Sequence, residues 1–270
     1  IYANATDPGV FRVFSPVKKN LRVQWYGIPE KYLKKTRQVL GDYVFCHSCG
    51  TRLEYAGIYI AHIGVWRCDT CGNYPKKYFV YEDNDLSQLK HLPDYTVINS
   101  EPVYLLSKDV GIDSSITFES IVCSAPAFGR GEAVLSQNNN TYHIYLGKNP
   151  AGWTLALENI LERKSELKVL ILGLNNRIPD GHDISWIWDV HIDISKLNRL
   201  GSNIFIVGDR AYDMAVRLKT EGIENVSILE TAEEGIQKAN NSYSDCEIAV
   251  LANYSSMLEI RKIITGKAIN

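Results

Sequence analysis

Four cysteines fall as Cys46-His47-Ser48-Cys49 and Cys68-Asp69-Thr70-Cys71, two CxxC pairs with 18 residues between Cys49 and Cys68. A tight turn can set two thiolates on one side of a cation, and a second such turn closes the tetrahedron, so the spacing predicts a zinc ribbon with metal ligands Cys46, Cys49, Cys68 and Cys71. Gly50 and Gly72 each follow the second cysteine of a pair, where a residue without Cβ relieves the turn. Runs at 53–59 and 62–66 have the short β character that the hairpin of a ribbon needs. A disulfide pair and a redox CxxC are the competing readings. A reducing compartment argues against the first and the matched pair of turns against the second. Four thiolates leave no open position for water, so the expected zinc is structural. His47 and His62 are surplus to such a shell, and Cys123 and Cys246, each beside an apolar stretch, are expected to be buried bystanders.

The second concentration of chemistry is the run from Asn175 to Asp189, which holds Asp180, His182, Asp183, Trp186, Trp188 and Asp189. One of its carboxylates could orient a histidine, hold a cation or act as a base. The plainer reading makes Asp180-Gly181 a turn, Asp183 a cap and the tryptophans packing residues. Gly147-Lys148-Asn149-Pro150-Ala151-Gly152 reads as an anion-friendly helix entry, or as an ordinary one. Arg130, between glycines in Phe128-Gly129-Arg130-Gly131-Glu132, suits phosphate, or else sits in a surface hairpin. Val207-Gly208-Asp209-Arg210 and Ala252-Asn253-Tyr254-Ser255-Ser256 join strands to helices and have the simpler reading of helix caps. No GxxxxGK[ST] phosphate loop is present, so this chain is not expected to hydrolyse ATP alone.

The elements that must position these loops alternate regularly. Strands are expected at 142–146, 167–174, 203–208, 226–229 and 247–252, with helices at 151–164, 211–221, 232–239 and 255–264. The pattern predicts an α/β fold, a parallel Rossmann-like C-terminal sheet with helices on both faces, which places ligands at the carboxyl ends of the strands. Ahead of it, a strand at 21–26 precedes the ribbon, 82–94 reads as a polar loop, and 101–109 reads as a helix. The expected divisions are 1–110 with the ribbon at 43–78, a linker and hairpin at 111–140, and 141–270.

The chain has 270 residues, 45% of them hydrophobic, and Lys+Arg of 29 against Asp+Glu of 31 leave a formal charge of -2. That composition suits a packed core and lacks the basic surplus of a nucleic-acid binder. No apolar run is long enough for a membrane helix, and residues 1–7 lack the pattern of a secretory signal. The sequence starts at Ile1, in what reads as the end of a strand and a turn at Asp7-Pro8-Gly9, and is expected to be part of something longer.

The four-cysteine ribbon, Lys148-Asn149-Pro150-Ala151-Gly152 and the run Asp180-Gly181-His182-Asp183-Ile184-Ser185-Trp186-Ile187-Trp188-Asp189 together resemble the MurT family, the Mur-ligase-like subunits of lipid II isoglutaminyl synthases. Tyr2-Ala3-Asn4-Ala5-Thr6-Asp7-Pro8 is similar to the Asn-Ala-Asp-Asp-Pro stretch near the end of that family's central ATPase domain, with Thr6 where the family usually has Asp. The resemblance implies a partial Mur-ligase-like central domain carrying the ribbon, followed by the Rossmann-like domain. It implies ATP with Mg as cofactor of the full-length protein, alongside zinc. The implied reaction activates the α-carboxyl of D-glutamate in the lipid II stem peptide as an acyl phosphate. Ammonia from glutamine, released by the glutaminase subunit GatD, then gives D-isoglutamine. Asp183 matches the aspartate thought to complete the Cys-His pair of that glutaminase. Arg130, Lys148 and Asn149 match elements that face the nucleotide, and Asn99 is the one match to the pair of asparagines that grips adenine. His191 replaces an acidic residue of the family's pattern. The family's phosphate loop lies upstream of Ile1, so this chain by itself is expected to be inactive. The implied location is the cytoplasm, at the inner face of the membrane where the lipid-linked substrate lies. The alternative is a non-catalytic zinc-ribbon adaptor that docks a glutaminase.

Overall fold

Strands that are apolar at every position have no solvent face and must be covered on both sides. The computed structural model covers them so. It describes residues 1–16, 21–34, 43–124, 129–136, 138–163, 167–200 and 203–267, in two units, Ile1–Ser124 and Ala125–Asn270. Phe128 and position 164, the expected end of a helix, lie outside the described residues.

The N-terminal unit begins with β1 (Tyr2–Asn4) and α1 (Pro8–Phe14), followed by β2 (Gln24–Tyr26), which pairs with β1 in parallel. The turn expected at Asp7-Pro8-Gly9 is instead the start of α1. Asp7 Oδ1 accepts the N–H groups of Gly9 and Val10, and Pro8 takes the first turn, where its missing N–H costs nothing. Strands β3 (Glu54–Ile60) and β4 (Ile63–Arg67) form the antiparallel hairpin between the cysteine pairs.

Helices α2 (Asp83–Gln88), α3 (Asp94–Asp109) and α4 (Ser114–Cys123) follow. The stretch 82–94 is thus not wholly a loop: Glu82 and Asp85 form a reciprocal capping box that starts α2. Helix α3 begins seven residues before the expected 101, because it runs through Pro102, and a proline in helical context reads from sequence as an obstacle or a start. Cys123 is exposed rather than buried, at the solvent-facing end of α4, and Cys246 is half-buried.

The C-terminal unit holds β5 (Arg130–Leu135), β6 (Thr141–Leu146), α5 (Pro150–Glu162), β7 (Leu167–Gly173), α6 (Ile194–Leu197), β8 (Ile204–Val207), α7 (Ala211–Thr220), β9 (Val226–Ile228), α8 (Ala232–Ser242), β10 (Glu247–Ala252) and α9 (Tyr254–Thr265). Its six-stranded sheet has the order β5-β6-β10-β7-β8-β9, parallel except for β5. One face packs on α5, α7 and the turn at Ser185–Asp189, through Trp153, Leu157, Leu172, Ile187 and Leu218. The other packs on α8 and α9, through Ile171, Val250, Ile236, Met257 and Ile260. The stretch 111–140 is divided between the units: α4 packs on α3 through Phe118 and Tyr104, whereas β5 is an edge of the sheet.

Candidate functional site

In the N-terminal unit the four thiols meet. The Sγ atoms of Cys46, Cys49, Cys68 and Cys71 all lie within 4.8 Å of one another. Cys46 and Cys71 are 3.6 Å apart and Cys49 and Cys68 are 3.4 Å apart. A tetrahedral zinc with Zn–S of about 2.3 Å needs sulfur–sulfur separations of about 3.8 Å, so the cluster has the dimensions of a four-thiolate site. The two turns repeat one design: Gly50 N–H donates to Cys46 O at 2.8 Å and Gly72 N–H to Cys68 O at 2.9 Å, with both glycines at positive φ.

Thr51 hydrogen bonds, its hydroxyl first, draw the Cys49 thiol down to about 6, while the neighbouring thiols, Cys68 above all, push Cys71 up to about 12. Four groups this close cannot all ionise unless a cation compensates them. The residues present therefore fit a metal. Neither spare histidine joins them: His47 is exposed, and His62 Nε2 lies 3.5 Å from Asp7 Oδ1.

In the C-terminal unit the candidate loops share the carboxyl rim of the sheet. The loop after β7 is held by a polar network that ties three strand ends together. Asn175 is fully buried; its N–H donates to Asn253 Oδ1 at 3.1 Å and its carbonyl accepts Asn253 Nδ2 at 2.6 Å. Asn175 Oδ1 accepts the Asp209 N–H at 2.8 Å, and its Nδ2 donates to Ser255 Oγ at 3.1 Å. Gly208 has φ of +104°, and a Cβ there would lie 2.5 Å from Asn175 Oδ1, so the neighbouring turn has room only for glycine. Asp180 accepts the Ser255 N–H at 2.8 Å and the Ser255 hydroxyl, and Arg177 donates to both oxygens of Asp209 and pairs with Glu259. Asp180 is thus an anchor for the loop. Sequence reading has Asp180 as a turn residue or a functional carboxylate and Asn253 in a helix cap, and gives Asn175 no role, because the contacts that join them to the rim span 75 to 78 positions.

Past this anchor, Asp183 is exposed. Its Oδ1 accepts the Ser185 N–H at 2.8 Å at the start of the turn Ser185–Asp189, and hydrogen bonds from Ser185 hold its carboxyl below the ordinary range. It caps its own backbone as the plainer reading expects, yet it faces solvent as an anion. His182 is exposed beside it. Trp186 packs edge-on against Trp153 at 5.5 Å, and Trp188 carries the Arg217 guanidinium 5.7 Å from its ring centre.

Lys148 places its ammonium 4.8 Å from the centre of the Tyr254 ring. Asn149 caps α5 through Oδ1, which accepts the Gly152 N–H at 2.8 Å. Arg130 is exposed at the start of β5, in register with Tyr145, so Arg130, Lys148 and Asn149 lie at the same rim. Asn99 is on the exposed side of α3 in the other unit. Two residues along, Glu101 is fully buried, a group that sequence reading missed. Its Oε1 accepts the Tyr81 N–H at 3.2 Å, its Oε2 has no partner among the described residues, and burial pushes its carboxyl up to about 8.

The chain thus joins a unit with a metal-ready ribbon to a unit with a Rossmann-like sheet. The solved pseudomurein peptide ligase type C from Methanothermus fervidus matches 98% of this chain and 56% of its own, with a TM-score of 0.62 at 18% identity, a likeness of fold. Residues 146–257 match the family model described as MurT ligase C-terminal. The curated subunit MurT of the glutamine-hydrolyzing lipid II isoglutaminyl synthase of Staphylococcus aureus (strain COL) is 26% identical over 271 residues, covering 94% of this chain and 59% of that protein. The corresponding subunit of Streptococcus pneumoniae (strain ATCC BAA-255 / R6) is 28% identical over 259 residues, covering 84% and 54%. The chain thus spans a little over half the length of these relatives. No helix among the described residues is long and apolar enough to cross a membrane.

Proposed function

We propose that this chain is part of the synthetase subunit of a glutamine-dependent amidotransferase in peptidoglycan synthesis. In this reading the α-carboxyl of D-glutamate in the lipid II stem peptide is amidated at the expense of ATP, with ammonia supplied by a GatD-type glutaminase. The observation that carries the reading is the match of residues 146–257 to the MurT ligase C-terminal family, with Asp183 exposed on an anchored loop inside that range.

The role assigned to Asp183 is electrostatic. A carboxylate facing the Nδ1–H of a histidine on the partner fixes the tautomer and stabilises the imidazolium formed when a thiol is deprotonated. Two features support it: Ser185 keeps the carboxyl ionised, and the Asn175–Asn253 and Asp180–Ser255 bonds hold the loop to the sheet, so little freedom remains to be lost on docking. Arg130 and Lys148 would meet nucleotide phosphate at the rim, with Asn149 setting the helix entry beside them. Asn99 is the residue to which the family resemblance assigns adenine contact. Cys46, Cys49, Cys68 and Cys71 would hold zinc, whose contribution is structural.

The test is Asp183→Asn in the assembled pair of subunits. Glutamine hydrolysis should fall by at least about 100-fold while the subunits still co-elute, as expected when a carboxylate no longer orients a catalytic histidine. Unchanged hydrolysis would refute the role. A stable pair that hydrolyses glutamine but never consumes ATP, even with the full-length subunit, would favour the adaptor reading.

A further inference from the structure

The ribbon hairpin does more than close around its cysteines. We propose that it is a metal-dependent clamp on the loop 5–7 that follows β1, with Trp66 and Gly64 as its positioning residues. Ala5 and Thr6 are fully buried, so their carbonyls need protein donors. Trp66 Nε1–H donates to Ala5 O at 3.1 Å, and Gly64 N–H donates to Thr6 O at 2.9 Å. Both donors come from β4. The rest of the loop is tied internally: Thr6 N–H and hydroxyl both donate to Asn4 Oδ1, and Ala5 N–H donates to Tyr26 O.

The coupling to metal is spatial. Trp66 is 2% exposed and packs in one cluster with Cys46, Leu53 and Cys68, with Phe11 of α1 edge-on against it at 5.3 Å. Cys68 lies two residues beyond Trp66, so a cation gripping that thiolate fixes the register of the strand that presents the indole. A two-stranded hairpin is marginal in water without such a closure. When the metal leaves, β4 frays and two buried carbonyls lose their donors, a loss that favours opening of the loop. The loop lies at the carboxyl end of β1, where parallel strands present ligand-binding residues. Its use in the ligase step rests on the function proposed above, but the clamp itself does not.

Amide exchange of the zinc-loaded chain, with and without a chelator, tests the clamp. Metal removal should speed exchange across residues 4–10 by about 10-fold or more, while the amides of β10 are unchanged. Equal exchange in the two states would overturn the proposal. So would an equal acceleration of α3 and α4, because the metal would then support the whole unit rather than the loop. The variant Trp66→Phe keeps an aromatic ring but removes the donor. It should retain full metal content and still exchange faster at residues 4–10. Full metal with unaltered exchange, or loss of metal from this variant, would overturn the assignment of Trp66. Because the readout is exchange and metal content, the clamp and the ligase reading can fail separately.

Discussion

Asn253→Ala should cost the C-terminal unit about 3 kcal/mol. The side chain makes a two-way bridge to the backbone of Asn175, accepting its N–H at 3.1 Å and donating to its carbonyl at 2.6 Å. Asn175 is 0% exposed and Asn253 is 3% exposed, so truncation orphans both backbone groups where water does not reach them. Each orphan costs about 1–3 kcal/mol, and partial relaxation at the sheet rim brings the sum to about 3 kcal/mol. At about 2–4 °C per kcal/mol for a domain of this size, melting should fall by about 6–12 °C. Since the chain has two units, the reading belongs to the second: urea dependence of amide exchange at Val250 and Leu251 reports opening of the central strand alone. Asn253→Asp is the control. It keeps an acceptor for the Asn175 N–H but offers no donor to the carbonyl, and should be at least as damaging as alanine. A loss below about 1 kcal/mol in both variants would refute the reasoning, since it would mean that the rim exchanges these bonds for water at no cost.

Two further outcomes concern buried titratable groups. Burial raises Glu101 from 4.5 to about 8, so the native state keeps a proton that the unfolded chain releases; its contribution is complete below the ordinary value and is lost as pH rises through about 8. Glu101→Gln should flatten that fall, measured as urea midpoints at about pH 5 and about pH 9, and an unchanged slope would rule out Glu101 as its source. His143 is shifted the other way, below 6.5, by burial first and then by Arg163, whose Nη2 is 3.1 Å from its Nε2. Its contribution is present above 6.5 and is lost as pH falls below that value. Arg163→Met should move the His143 titration upward in an NMR pH series; a downward move would show that Arg163 does not oppose its protonation.

The Rossmann-like half was legible in the sequence because its strands are short continuous apolar runs separated by amphipathic helices, and position 147 onward follows that rhythm. The cysteine turns were legible for a simpler reason: CxxC followed by Gly is a local geometry with few alternatives. Helix 83–88 and the first seven residues of 94–109 were not, since a Glu–Asp capping box and a proline inside a helix are decided by context that composition does not carry. The carboxyl rim was legible by place but not by role. Asp180 and Asn253 read as turn and cap residues because each is a good one locally, and Asn175 carries no local signal of its own. Only the parallel pairing of β7 with β10 brings the three together. The same holds for Trp66, whose partner Ala5 is 61 positions away.

The order β5-β6-β10-β7-β8-β9 puts β10, which follows its five sheet partners in sequence, between β6 and β7. Until residues 247–252 emerge, β6 and β7 have no common neighbour, and both present open backbone edges of strongly apolar character. A polypeptide cut short before Glu247 would therefore lack its middle rather than its margin. Such truncations should yield insoluble or degraded product instead of a smaller working domain.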